Sequence, residues 1–248
     1  MNSILRLAIL AATTLAIAAC DSSDPVIASG SDGNNAPGTA ATAEKDWTTV
    51  VSETPEGGFR MGNPDARVQL VEFGSFTCSH CKDFHADSVE HLQPEYVRNG
   101  QLSYEFRPFM LNIYDFAATE LAMCQGAGKF FRWANELFHN QEGWVEPFTK
   151  LKETDIAALQ SLPLGAQVLG LAKAGELDRF AAKRGIPGKQ FDECLGNETA
   201  IDTLARQQQK SIDSYKIEGT PTFLLNGKKV ENTTTWEQLK PQIVKALG

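Results

Sequence analysis

The sequence predicts an α/β fold in which a helical segment interrupts a strand-bearing domain. Three observations predict it. Apolar, β-branched runs at residues 66–73 and 101–107 read as core strands. Strand signals then vanish from about residue 114 to 210, where apolar residues recur at helical spacing. They return at residues 215–230, where Asn226-Gly227 marks a type I′ hairpin turn. The expected order is β, β, α, β, several helices, a β-hairpin and a last helix. The strand-bearing parts fall at about 47–113 and 211–248, with the insertion at about 114–210. No internal repeat is visible.

The chain has 248 residues, 42% hydrophobic and 22% charged, which suits one large domain or two small ones. The net charge of -8 and the lack of a strongly basic stretch argue against nucleic acid as a partner. There are five cysteines, Cys20, Cys78, Cys81, Cys124 and Cys194, and the odd number needs an explanation.

The amino terminus offers one. Residues 1–19 carry one positive charge and then a compact apolar stretch, too short for a stable membrane span, and read as a signal peptide. Ile17-Ala18-Ala19-Cys20 resembles a bacterial lipobox, which implies cleavage before Cys20 and a lipid on its sulfur. Two or three acyl chains suffice for stable membrane anchoring. Asp21 resembles an inner-membrane retention signal of enterobacterial lipoproteins. Export places the remaining four cysteines where disulfides persist. Residues 20–46 are rich in Ser, Gly, Asn, Ala and Asp and read as a flexible tether.

Folded sequence begins near Trp47. Thr48 to Val51 reads as a first strand and Gly57 to Pro64 as turns. Ala66 to Phe73 is the strand that leads to Cys78. From Cys81 to about Asn99, Phe84, Val89, Leu92 and Val97 recur near one helical face, and Pro94 should kink or end that helix. Gln101 to Arg107 alternates as a second core strand stopped by Pro108. Ala117, Leu121, Cys124, Phe131 and Phe138 mark the first helical stripe of the insertion. A helix follows from Thr154, then short ones at 166–173 and 177–183. Pro187 stands near the start of a helix carrying Cys194, and residues 199–212 form a longer one. After the hairpin, Thr234 with Glu237 fits a capping box for a helix from Trp236 to Leu247, which Pro241 should strain or shorten.

The chemistry centres on Cys78-Ser79-His80-Cys81. If Cys78 opens a helix, the positive end of the helix dipole stabilises its thiolate, and Cys81 lies one turn later, within disulfide reach. The spacing alone also allows half a zinc site, with His85 as a third ligand, or a structural pair. Zinc needs two further ligands, and a small structural loop closes little chain entropy. Glu72 stands on an otherwise apolar strand and shares a face with Leu70, so it is expected to be partly buried, which is costly unless it is used or paired. Cys124 and Cys194 leave three readings open: a structural disulfide between two helices, which is preferred, buried free thiols, or a second redox pair.

Glu72-Phe73, Phe76-Thr77-Cys78-Ser79-His80-Cys81, then Gly219-Thr220-Pro221-Thr222-Phe223 with Asn226-Gly227, resemble in order the DsbA-like branch of the thioredoxin superfamily, over residues 63–247. The resemblance implies a thioredoxin fold interrupted by a helical domain and thiol–disulfide exchange on exported proteins. It implies that Cys78 is the nucleophile, Cys81 the resolving thiol, and His80 a donor or positive charge near the Cys78 thiolate. It makes Glu72 a proton relay to Cys81, and Thr220-Pro221 a cis-proline site that meets an extended substrate. The archetypal oxidase has Val before that proline, whereas Thr220 resembles isomerases and reductases.

The expected molecule is therefore a lipid-anchored oxidoreductase on the periplasmic side of a bacterial membrane. Its redox cofactor is its own Cys78–Cys81 disulfide, with no metal or organic cofactor. Its partners are unfolded or cysteine-containing exported proteins and a membrane protein that regenerates the disulfide. A reductase or isomerase of the same fold, and a non-catalytic chaperone-like lipoprotein, are the rival readings.

Overall fold

The apolar run before the cysteines becomes an interior strand. The computed structural model describes residues 45–248, so the signal peptide, Cys20 and nearly all of the tether lie outside the described residues. Six strands form one sheet: β1 Val51–Glu53, β2 Phe59–Met61, β3 Val68–Gly74, β4 Leu102–Pro108, β5 Thr222–Leu225 and β6 Lys228–Val230. Their order is β1-β2-β4-β3-β5-β6. Only the β3–β4 pair is parallel. A parallel pair needs a crossover, here α1 (Ser79–His91) and a π-helical turn, Leu92–Val97. Pro94 sits inside that π-helical turn, so the helical path is modified at the proline and does not end there.

Strand alternation sorts the side chains into two layers. Leu70 and Glu72 of β3 share a face with Tyr104 and Phe106 of β4, Phe59 and Met61 of β2 and Phe223 of β5, by their pairing registers. Most of these residues join the larger core, which also contains Cys81 and Phe84 of α1 and Phe130 and Phe138 of the insertion. The opposite face carries a smaller cluster, Val71, Phe73, Phe109, Ile217 and Leu224, against Ile212 and Tyr215. There Glu105 accepts from Arg107 Nε at 2.7 Å and from Thr54 Oγ1 at 2.6 Å.

The insertion lies between β4 and β5. It comprises α2 Ile113–Met123, α3 Ala127–His139, α4 Gln141–Thr149, α5 Glu153–Leu159, α6 Leu164–Ala174, α7 Leu177–Ala182, α8 Gly188–Leu195 and α9 Glu198–Tyr215. The chain ends in α10, Trp236–Leu247. The α/β fold with a helical insertion is thus the observed architecture. Among the described residues, no helix is long and apolar enough to cross a membrane.

Several local expectations are corrected. Trp47–Thr49 is a 3₁₀ turn, because the Asp46 carboxylate caps it by accepting from Thr48 N, so the first strand begins only at Val51. The turn-rich stretch from Gly57 contains β2, which pairs with β4 through Phe59 and Met61. Pro108 closes β4 from within the strand. The capping box uses Thr235 and Gln238 instead of Thr234 and Glu237, because Thr235 is the residue that holds the extended cap conformation. Pro241 is carried inside α10, which runs on to Leu247. Asn226 and Gly227 both take positive φ, as the hairpin turn requires.

Candidate active site

Glycine, strand end and helix start together place the two thiols. β3 ends at Gly74, where a Cβ would collide with the Phe106 ring and come within 2.9 Å of Glu72 Oε1. The chain then turns through Ser75–Thr77, and Cys78 becomes the N-cap of α1 with extended backbone and no capping side chain. Its sulfur therefore meets the unpaired amide hydrogens of the first helical turn. Cys81 follows on the buried face. Both cysteines are free, and Cys78 is the more exposed of the two, at 8% against 0%.

Their acidities are driven in opposite directions. The Cys78 thiol is held down to about 5, first by a hydrogen bond from Cys81. Burial opposes that, while the Thr220 side chain and the backbone N–H groups of Cys81 and His80 reinforce it. Cys81 is pushed well above the ordinary thiol range, first by burial, then by its bond to Cys78 and by the charge of Glu72. At neutral pH this is a thiolate beside a thiol. The exposed His80 contributes its backbone N–H to the Cys78 thiolate.

A loop on the other side of β3 closes the front of the site. The Thr220-Pro221 peptide is cis. As a thiol, Cys78 Sγ donates to the Thr220 carbonyl at 3.3 Å. The Thr220 hydroxyl is buried and has no other partner, so it is available to a Cys78 thiolate.

Beneath the thiols, Glu72 is fully buried, beyond the partial burial expected of it. Its Oε2 accepts from Tyr104 O–H at 2.6 Å and lies 3.5 Å from His85 Nε2. Its Oε1 has no partner. Tyr104 comes from β4, whose register sets Tyr104 opposite Leu70 and so diagonal to Glu72 on one face. Its phenol is pushed well above its ordinary range, first by burial and then by Glu72, so it remains a donor. His85, one turn after Cys81, stacks on Phe138 with centroids 4.1 Å apart. Among the described residues, no three His, Cys, Asp or Glu side chains gather as a metal site.

Three side chains between β4 and β5 hold the loop before Cys78: Asp115, Gln141 and the α2 N-cap Asn112, whose Nδ2 donates to Thr77 Oγ1 at 2.9 Å. Buried Asp115 of α2 accepts from Ser75 Oγ, Thr77 N, Thr77 Oγ1 and Leu111 N at 2.8–2.9 Å. Burial pushes its carboxyl up, and these donors pull it part of the way back. Gln141 Nε2, at the start of α4, donates to the Phe76 and Cys78 carbonyls at 2.9 Å each. Sequence reasoning missed Tyr104, Asp115 and Gln141 altogether, and considered His85 only as a zinc ligand. The one available signal was a carboxylate near the start of the largely apolar α2, which Asp115 is; Tyr104 falls on an alternating strand and carries none. Far from this grip, Cys124 at the C-cap of α2 and Cys194 of α8 are joined in a disulfide, Cα–Cα 5.4 Å.

A thioredoxin family model matches residues 54–245. A protein named as a protein-disulfide oxidoreductase in Rickettsia prowazekii is 26% identical over 186 residues, 75% of this chain and 60% of the relative. The chain thus spans about 60% of the length of such curated relatives. Among solved structures, protein-disulfide isomerase from Novosphingobium aromaticivorans is 29% identical with a TM-score of 0.74, over 77% of this chain and 97% of that one. Wolbachia pipientis alpha-DsbA1 shares the fold, with a TM-score of 0.61 at 21% identity over 76% and 90%. The chain belongs to the thioredoxin family.

Proposed function

We propose, from that membership, that the protein is a thiol–disulfide oxidoreductase that oxidises exported proteins through Cys78 and Cys81. The observation that carries the reading is the split in acidity between the two sulfurs. A thiolate stabilised to about 5 makes the reduced form favourable and the disulfide a strong oxidant. A substrate thiolate attacks Cys78 Sγ of the Cys78–Cys81 disulfide, the S–S bond breaks, and Cys81 leaves and takes a proton. A second substrate thiolate then attacks the substrate sulfur of the mixed disulfide. The substrate leaves with its disulfide, and Cys78 leaves as the stabilised thiolate.

Glu72 supplies the proton that the departing Cys81 needs, and the Thr220 backbone aligns the substrate. The oxidised state returns by exchange with a disulfide-bearing membrane partner. The lipobox-like sequence at Cys20 supports a lipid anchor on the periplasmic face of a membrane. A second reading, an isomerase, is favoured by Thr220 before the cis-proline and by the name of the Novosphingobium relative.

A reduction-potential titration with glutathione, paired with a dithiol-peptide oxidation assay, tests the reading. A strongly oxidising potential with rapid peptide oxidation is expected. A thioredoxin-like potential with repair of scrambled disulfides moves the assignment to the isomerase. No exchange by the wild type, with binding of unfolded chains retained, leaves the chaperone-like alternative.

A further inference from the structure

Glu72 has no direct way to exchange protons with water. It is 0% exposed, and its contacts are all buried groups. A carboxyl that hands a proton to Cys81 or takes one from it must be reset in every turnover. Of the two side chains that reach Glu72 Oε2, Tyr104 is itself buried and does not line the groove that His85 meets. The other, His85, has a second surface. It lines a groove of about 560 Å³ between α1 and α3, together with Lys82, Asp83, Glu136, Phe138 and His139. His85 is 9% exposed, the most accessible member of the buried trio.

The geometry points to His85 as the proton shuttle between Glu72 and the solvent in this groove, a role that rests on the oxidoreductase reading. Its Nε2 lies 3.5 Å from Glu72 Oε2, long for a hydrogen bond, but only 3.3 Å from Tyr104 O, which in turn lies 2.6 Å from the same carboxylate oxygen. With Nε2 protonated, His85 donates to the Tyr104 hydroxyl while that hydroxyl donates to Glu72. A proton can pass inward along this chain by successive transfers, leaving Tyr104 neutral. Phe138, stacked on the imidazole, and Phe106, edge-on to it, fix the ring in this alignment. The ionisable groups facing His85 are Glu72 from β3, Tyr104 from β4, Lys82 and Asp83 from α1, and Glu136 and His139 from α3.

When the enzyme is reoxidised the flow is outward. Cys81 S–H gives its proton to the Glu72 carboxylate; with His85 in the tautomer whose Nε2 is bare, Glu72 protonates the Tyr104 oxygen as the Tyr104 proton moves to Nε2, and the imidazolium gives up its other ring proton to water. The Cys81 thiolate attacks Cys78 Sγ in a mixed disulfide, the bond to the other thiol breaks, and that thiol departs as a thiolate. His85 makes no hydrogen bond to either sulfur and acts through Glu72.

A preformed Cys78–glutathione mixed disulfide isolates this step, read as glutathione released by Cys81. His85→Gln keeps an amide that can hydrogen-bond Tyr104 but cannot carry a proton. Release should slow by on the order of 100-fold, the low end of general acid–base effects. In His85→Ala, free imidazole entering the groove should restore the rate, and the recovery should track the basicity of a series of substituted imidazoles. A purely structural role gives no such dependence. Wild-type release by His85→Gln, or a folded His85→Ala that imidazole does not accelerate, overturns the shuttle alone. A wild type whose Cys78–glutathione never resolves overturns the oxidoreductase reading and the shuttle with it.

Discussion

The two cysteine pairs use the same atoms and stand at opposite ends of helices. Cys78 is the N-cap of α1, and Cys81 lies one turn on. Cys124 is the C-cap of α2, and Cys194 is the next-to-last residue of α8. A helix N-terminus favours a thiolate and a C-terminus disfavours it. The first pair therefore has a stabilised reduced state. The second has none, and its disulfide should resist reduction. Chain separation points the same way. Cys78–Cys81 closes a loop too small to constrain unfolding, whereas Cys124–Cys194 spans 70 residues. On the proposed function, a cysteine pair in this molecule is active or structural according to which helix end it occupies and how much chain it ties.

The largest expected effect breaks the comparison outright. Cys78→Ser should abolish peptide oxidation in a dithiol-peptide assay. The double variant Cys124→Ala with Cys194→Ala should leave the rate within about twofold wherever it is folded, since neither sulfur lies at the grip on the active loop. Equal losses in the two variants would mean that the second pair takes part in exchange. The double variant should instead lose about 4 kcal/mol of stability by loop-entropy reasoning, read as a lower midpoint in denaturant. An unchanged midpoint would show that the bond does not constrain the unfolded chain.

Next in size is the pH dependence of Cys78. Alkylation of the reduced protein by iodoacetamide should titrate with a midpoint near 5, while Cys81 stays unreactive through neutral pH. Because the Cys81 hydrogen bond is the first cause of the lowered value, Cys81→Ala should move the midpoint up further than Thr220→Val does. The reverse order would assign the thiolate to the cis-proline loop. The folded value of Cys78 lies below the ordinary 9.0, so its contribution to the stability of the reduced form is complete above pH 9 and is lost as pH falls towards 5. Cys81, raised well above 9.0, works the other way at higher pH. The reduced form should therefore gain stability over the oxidised form from pH 5 to about 9 and lose it beyond.

The same contrast explains what the sequence could reveal. The active pair was legible because its signals are local: an apolar run, a C-x-x-C spacing and a helix start within about fifteen residues. Glu72 stood out as a charge on an apolar strand. The α/β order with a helical insertion followed from where strand signals stop and resume. The groups that complete the site were not legible because they arrive by tertiary pairing. Tyr104 reaches Glu72 through the β3–β4 register, and His85 belongs to an otherwise ordinary helix face. Asp115 and Gln141 contact Ser75–Cys78 from helices of the insertion. β2 was missed because three residues between glycines read as turn until β4 is placed beside them.

The smallest predicted effect concerns that grip, and it separates position from chemistry. Gln141 Nε2 is the one donor from the insertion to the Phe76 and Cys78 carbonyls. The Cys78 carbonyl also accepts from Lys82 N at 3.1 Å, so the helix keeps its first turn without Gln141. Gln141→Leu fills similar space and leaves Phe76 O unsatisfied, at a cost of about 1–3 kcal/mol. It removes none of the groups that lower Cys78. A folded Gln141→Leu should therefore keep the alkylation midpoint near 5 and lose stability alone. An upward shift of the midpoint would instead mean that the insertion tunes the thiolate by fixing the angle at which Cys78 meets α1, making the helical domain part of the redox centre as well as its support.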